Sequence, residues 1–333
     1  MPSFRTGVVT TIVSEREGLQ RVEVDGRPAY VLTQLVGPVA VGDRVVVNTT
    51  AVELGLGTGG WDVVHWNLSR DSWSAPGPGH VLKLRYTSLQ ADTGATEERE
   101  DYREPESLAG MPVVACGLHS QIACVAAVFK HLAPAKRLVY VMTDWASLPL
   151  ALSDLVADLR RVGLLEATVT AGQAFGGDHE AVNVPSGLRV AKAAAGADAV
   201  VVAGGPGGVG TATRFGFGAL DLGAVVRAAL ADRGLPVVAL RWSDVDARPR
   251  HRGLSHHSTT ALEWSSSGAI VAIPRGEPKP EVGGHELVEV TVPDVPALLA
   301  GHGVRVETMG RGPEADPRFY SYAGAPGVIA AGV

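Results

Sequence analysis

Three apolar runs of strand length, Pro112-Val113-Val114-Ala115-Cys116, Arg137-Leu138-Val139-Tyr140-Val141-Met142 and Asp198-Ala199-Val200-Val201-Val202-Ala203, decide the reading of this chain. Each is followed by a segment long enough for a helix. The same alternation continues on both sides: strands at 112–116, 137–142, 167–170, 198–203, 236–240 and 269–273, with helical segments at 120–132, 148–162, 186–195 and 221–233 between them. Continuous apolar runs are what strands buried on both faces require. Repeated strand–helix units predict a parallel sheet of about six strands. Right-handed crossovers then bring every strand's carboxyl end to one edge of the sheet, where ligands of open α/β sheets bind.

Working outward, residues 7–84 change period. Val8-Val9-Thr10-Thr11-Ile12-Val13, Gln20-Arg21-Val22-Glu23-Val24 and Pro28-Ala29-Tyr30-Val31-Leu32 are strand-like, and Asp25-Gly26 supplies the positive φ angles of a tight hairpin turn. Several short strands with little helical pattern predict a small β-barrel or sandwich. The expected fold class is therefore α/β, a mostly parallel sheet flanked by helices in a Rossmann-like three-layer arrangement, with a smaller N-terminal β-barrel or sandwich. The expected division is an N-terminal β domain at 1–86, an acidic linker or excursion at 87–108, an α/β ligand-binding domain at 109–310 and a C-terminal tail at 311–333. Residues 287–292 add a strand that extends either sheet, a helix opens at Pro293-Asp294, and Val304-Arg305-Val306-Glu307 follows.

Hydrophobic residues make up 46% of the 333 and aromatics only 5%, so Ala, Val and Leu must fill the core. The net charge of −6, without a block of Lys or Arg, argues against nucleic acid or a membrane surface as partner. No apolar stretch reaches membrane-spanning length, and the first residues carry no signal-like core; the cytoplasm is the expected location. Cys116 and Cys124 have no metal-binding spacing and are expected to be buried thiols.

The loops after the strands hold the candidate site. Gly117-Leu118-His119-Ser120-Gln121 offers His119 and Ser120, with Ser120 read as helix cap or ligand contact. It is no nucleophile elbow, because Leu118 and Ile122 stand where that motif needs glycine. Asp144 closes the second strand and is either a ligand for a metal or substrate hydroxyl or a turn residue. Gln173-Ala174-Phe175-Gly176-Gly177-Asp178-His179-Glu180-Ala181-Val182-Asn183 concentrates polar groups, among which Asp178, Glu180 and Asn183 are expected to be functional. After the fourth strand, Gly204-Gly205-Pro206-Gly207-Gly208-Val209-Gly210-Thr211 can offer backbone N–H groups to an anion through Gly205, Gly207, Gly208 and Gly210, with the Thr211 hydroxyl beside them.

That loop is neither a dinucleotide fingerprint nor a P-loop. Phe215-Gly216-Phe217-Gly218 delays the helix, the next strand ends in Arg241 rather than an acid, and Thr211 occupies the P-loop lysine position. A nicotinamide cofactor is not expected. The fifth strand runs into Arg241-Trp242-Ser243-Asp244-Val245-Asp246-Ala247-Arg248-Pro249-Arg250-His251-Arg252-Gly253-Leu254-Ser255-His256-His257, a cationic, proton-exchanging patch whose natural partner is an anion. Neighbouring helical residues diverge by about 100°, so one of His256 and His257 is expected to face the cleft.

Four segments in order, Thr143-Asp144 with Leu148-Pro149-Leu150-Ala151, Phe175 to Asn183, Gly205-Pro206-Gly207-Gly208-Val209-Gly210-Thr211, and His251-Arg252-Gly253-Leu254-Ser255-His256-His257, resemble a bacterial family known as domain of unknown function 3866. The resemblance spans nearly the whole chain and implies no activity.

From the residues alone, the expected function is an enzyme, a hydrolase or group transferase, acting on a phosphorylated or carboxylated small molecule. The 204–214 loop with Arg241, Arg248, Arg250 and Arg252 would hold the anion. Asp144, Asp178 and Glu180 would bind a divalent metal or activate water, and His256 or His257 would serve as acid and base; Asp144, Asp178 and His257 are the candidate metal ligands. A non-catalytic metabolite-binding or regulatory module with the same pocket is the second reading. A homo-oligomer whose glycines serve close packing is the third.

Overall fold

The structure, a computed structural model, describes residues 2–56, 59–146 and 148–333. The chain forms two compact units, Met1–Gly94 and Ala95–Val333.

In the first unit, β1 (Phe4–Arg16), β2 (Leu19–Val24), β3 (Arg27–Leu32), β4 (Arg44–Asn48) and β5 (Asp62–Asn67) close into a barrel of order β1-β2-β3-β5-β4. Asp25 and Gly26, at φ 50° and 73°, make the two-residue turn between β2 and β3, as their sequence requires. Two irregularities of register bend the long β1 so that it pairs with both β2 and β4. Small β-branched side chains, Val9, Val22, Val24, Val31, Val45, Val47 and Val64, fill the interior.

In the second unit the sheet strands are β6 (Pro112–Cys116), β7 (Leu138–Thr143), β8 (Ala167–Ala171), β9 (His179–Ala181), β10 (Ala199–Gly204), β11 (Leu235–Ala239), β12 (Ile270–Pro274) and β13 (Glu286–Val290). They make one eight-stranded sheet of order β9-β8-β7-β10-β6-β11-β12-β13, with every neighbouring pair parallel. Successive side chains feed opposite cores: Leu138, Tyr140 and Met142 face one, Val139 and Val141 the other. The helices are α1 (Gln121–Leu132), α2 (Asp154–Arg161), α3 (Val184–Ala193), α4 (Asp221–Ala231), α5 (His256–Trp264), α6 (Val295–Gly301) and α7 (Pro317–Ala331). α1, α2, α6 and α7 cover the first face; α3, α4 and α5 cover the second.

The sheet has eight strands where six were expected. β13 comes from the region read as a strand of uncertain sheet. β9 comes from the polar stretch read as a functional loop, and its three residues pair with β8 at the sheet edge. Residues 304–307 join no strand, although Val304 and Val306 are buried. The acidic stretch 87–108 is not a single linker: Ala95, Thr96, Ser107 and Leu108 are buried, all in the second unit. The segment 311–333 is no tail, because α7 buries Phe319, Tyr320 and Tyr322 completely and packs on α1.

Strand order places the crevice. The chain leaves β6 toward the first face through α1, whereas it leaves β10 and β11 toward the second face through α4 and α5. The three strands are neighbours, so their departing loops part and open a cleft beyond their carboxyl ends.

Candidate functional site

A cavity of about 160 Å³ occupies that cleft. Gly117 and Leu118 after β6, Gly208 to Thr211 after β10, and Arg241, Arg248, Arg250, His251 and His257 after β11 form most of its wall. Trp145, after β7, closes one side. Among the described residues three arginines line it, and no carboxylate does.

The arginines are organised by a buried acid. Asp246, 1% exposed, accepts on Oδ2 from Arg241 at 3.0 Å, Arg248 at 2.9 Å and Arg311 at 3.4 Å, and on Oδ1 from the Arg248 backbone and Nε, both at 3.0 Å. Hydrogen bonds from Arg248 hold this carboxyl far below the ordinary carboxylate range. Burial draws the Arg241 guanidinium down to about 10, against the opposing pull of Asp246. Asp316 extends the network, accepting from Ser243 at 2.6 Å and Arg311 at 3.2 Å. Three guanidinium groups against two carboxylates leave the assembly net positive. Arg250 is exposed and stands outside this network among the described residues.

The histidines sit beside it. Ser255 caps α5, its Oγ accepting from the His257 amide at 3.2 Å and lying 2.7 Å from His251 Nδ1. One hydroxyl thus starts the helix that carries His256 and His257 and anchors the ring of His251, which arrives from the turn Pro249–His251. The His256 and His257 ring centres are 4.4 Å apart, and His251 lies 5.0 Å and 4.7 Å from them. Phe217 stacks on His257 at 3.9 Å and 7°. Among the described residues, nothing hydrogen-bonds to Nε2 of His251, His256 or His257. Burial, reinforced by nearby cationic groups, lowers all three, His251 and His257 to about 3, so all three are neutral at pH 7.

Of the helical pair, His257 lines the cavity and His256 does not, as the helical spacing predicts. The three rings nevertheless lie together, because His251 approaches from outside the helix. His251 belonged to the cationic patch but was not singled out; the spacing of one histidine, four residues and a histidine pair was its signal.

Other candidates fall elsewhere. His119 is not among the cavity's lining residues: Nδ1 lies 3.0 Å from the Gly204 carbonyl and Nε2 2.7 Å from Ser153 Oγ. A carbonyl only accepts, so Nδ1 carries the proton and Nε2 accepts from the Ser153 hydroxyl. Ser120 precedes α1 but makes no side-chain cap; Gln121 instead accepts from the Leu118 amide and donates to the Leu240 carbonyl. Asp144 lies at the carboxyl edge, where it accepts from the Gln173 amide at 2.9 Å, away from the histidines' cavity.

Asp178 is at the other end of the sheet. It pairs with Arg160 and accepts from the Thr168 amide and hydroxyl at 2.8 and 2.9 Å, at the start of β8. Glu180 lies in β9 and accepts from the Gly176 amide, and Asn183 forms a capping box with Ser186 at the start of α3. Asp144, Asp178 and His257 thus share no metal site. Of the glycine loop, Gly208, Gly210 and Thr211 reach the cavity, whereas Gly205 packs on Leu148 and Met142. The loop is partly self-satisfied: Thr211 N donates to the Gly216 carbonyl at 2.7 Å and Gly218 N to that of Val209 at 2.9 Å. Gly207 and Arg252 are exposed and do not line the cavity.

The model of the family described as protein of unknown function, DUF3866, matches residues 28–327, nine-tenths of the chain. The chain belongs to the DUF3866 family. No curated protein and no solved structure matches it. No helix of this DUF3866 protein, among the described residues, is long and apolar enough to cross a membrane.

Burial of His119 carries a prediction. Its pKa is lowered to about 4 from 6.5, chiefly by desolvation. The folded state therefore binds fewer protons than the unfolded chain in that window. Its contribution is fully present above pH 6.5 and is lost as pH falls toward 4, amounting to about 2 kcal/mol at pH 5. His251 and His257 act in the same direction. Thermal melts should fall by several degrees between pH 7.5 and pH 5, with a shallower slope in His119→Gln. An unchanged slope in that variant would remove His119 from the account.

Proposed function

We propose that this protein binds a small phosphorylated or carboxylated metabolite in the strand-end cavity and hydrolyses it or transfers a group from it. The observation that carries the reading is the lining itself, three arginines and, among the described residues, no carboxylate, at the crevice where an α/β sheet takes its ligand. A guanidinium matches the two oxygens of a carboxylate or phosphate geometrically as well as electrostatically. The volume suits the anionic head of a small molecule, and the neutral histidines on the same wall have the protonation state of a base or a ligand.

A thermal-shift screen of the full chain against sulfate, nucleotides, sugar phosphates and small carboxylates tests it. Arg250 offers a clean variant, because it lines the cavity outside the Asp246 network. Arg250→Ala is expected to weaken binding of a hit by about tenfold or more while leaving the melting temperature of the free protein unchanged. A hit bound equally by both proteins would locate the anion elsewhere. Consumption of the hit on incubation supports an enzyme; stabilisation without turnover supports the second reading, a metabolite sensor.

A further inference from the structure

We propose that His251, His256 and His257 form a three-nitrogen site for a divalent transition metal, Zn²⁺ foremost, whose remaining coordination positions face the arginine-lined cavity. One ligand nitrogen from each ring lies within 4.8 Å of the others. Ligands at 2.0–2.1 Å around a tetrahedral centre stand about 3.3 Å apart, a difference that small rotations of the side chains close. The three Nε2 atoms are buried without hydrogen-bond partners among the described residues, an arrangement that costs the desolvation of each group. Elsewhere near the cleft, Gln121, Asp246 and His119 find partners for their polar atoms. A cation shared by the three nitrogens would satisfy all of them at once.

The surroundings are those of a ligand set. The contact of His251 Nδ1 with Ser255 fixes that ring and leaves Nε2 as the coordinating atom. Phe217 fixes the plane of His257. Gly210 keeps space clear beside it, since a Cβ there would stand 3.7 Å from His257 Nε2. Imidazole binds a metal through an unprotonated ring nitrogen, which each of the three rings offers within the cluster. An all-nitrogen set selects Zn²⁺, Co²⁺, Ni²⁺ or Cu²⁺ over Mg²⁺ or Ca²⁺.

Charge sets the fourth ligand. A dication held by neutral imidazoles beside Arg241, Arg248 and Arg250 needs an anion between them, so metal and anion should bind cooperatively. This coupling rests on the anion reading above; the metal site does not.

Chelator-treated full-length protein titrated with Co²⁺, with and without sulfate, provides the test. Wild type should bind one Co²⁺ with the visible bands of a four- or five-coordinate nitrogen site. His251→Ala and His257→Ala should each weaken binding by at least about 100-fold, whereas His302→Ala, an exposed control, should bind as wild type. Unchanged melting temperatures of the metal-free variants would show that the loss is not unfolding. Sulfate should shift the bands and tighten Co²⁺ binding. Binding of Co²⁺ no tighter in wild type than in the His251 and His257 variants overturns the metal site. If sulfate stabilises the chelated protein while Co²⁺ does not bind, the anion reading stands and this inference falls; if Co²⁺ binds in the cluster and no anion alters the bands, the reverse holds.

Discussion

Removal of residues 317–333 is expected to abolish folding of the second unit. The segment carries Gly324, Pro326 and Gly327, the residues least favourable to a helix interior, yet it forms the fifteen-residue α7 against α1 and the strands β6, β11 and β12. The glycines explain the packing: a Cβ on Gly327 would lie 2.7 Å from the Val125 carbonyl oxygen, and one on Gly324 2.6 Å from Val295. Phe319, Tyr320 and Tyr322 are at most 1% exposed. At about 1.5–3 kcal/mol for each large buried side chain, these three contribute roughly 5–9 kcal/mol, comparable with the 5–15 kcal/mol total stability of an ordinary domain. The buried Tyr320 hydroxyl donates to the Val306 carbonyl at 2.6 Å and Tyr322 stacks on Trp242 at 4.8 Å, so the loss also unties the 304–308 and 242–243 segments. The chain ending at residue 316 should show no cooperative transition for the α/β unit, with a protease-resistant fragment near residues 1–94. A cooperative melt within a few degrees of the full chain's would refute the assignment of α7 to the core.

The second large effect is expected at Asp246. Its replacement by Ala removes the carboxylate shared by three guanidinium groups and leaves Arg241, 5% exposed, as an uncompensated buried charge. Breaking a buried pair in this way costs about 3–5 kcal/mol, because desolvation of the remaining charge is no longer offset. Asp246→Asn keeps an oxygen acceptor but turns an amide toward the guanidinium groups, so it should fall between wild type and Ala. Urea denaturation of the three proteins reads the order directly. A loss below about 1 kcal/mol in Asp246→Ala, the scale of an exposed pair, would show that water reaches the network and that it is not the frame of the cavity.

How far these features were legible differs by residue. The βαβ alternation was, because strands buried on two faces must be written in continuous apolar runs such as Val200-Val201-Val202. The hairpin at Asp25-Gly26 was, because the turn chemistry is local. α7 was not: Gly324, Pro326 and Gly327 read as helix breakers, and only the partner helix reveals that a thin helix is needed there. β9 hid behind His179 and Glu180, since a three-residue edge strand is held by backbone pairing to β8 and needs little apolar content. For the site, the loops after β6, β10 and β11 were identified from topology, and Arg241, Gly208, Gly210, Thr211 and His257 do line the cavity. Asp178, Glu180 and Asn183 were misplaced because the third loop turns back into the sheet, and its polar groups serve that return. The histidine convergence was obscured because a helical wheel separates His256 from His257 and has no place for His251.

Ser255 has a temporal consequence. The same oxygen that winds the first turn of α5 also positions His251, so the three rings hold their arrangement only while that turn is wound. A helix end opens locally far more often than a whole domain unfolds. The lifetime of the histidine arrangement is therefore set by the fraying of a single turn, and whatever bridges the rings would act as a latch on that turn, slowing its opening without touching the rest of the sheet.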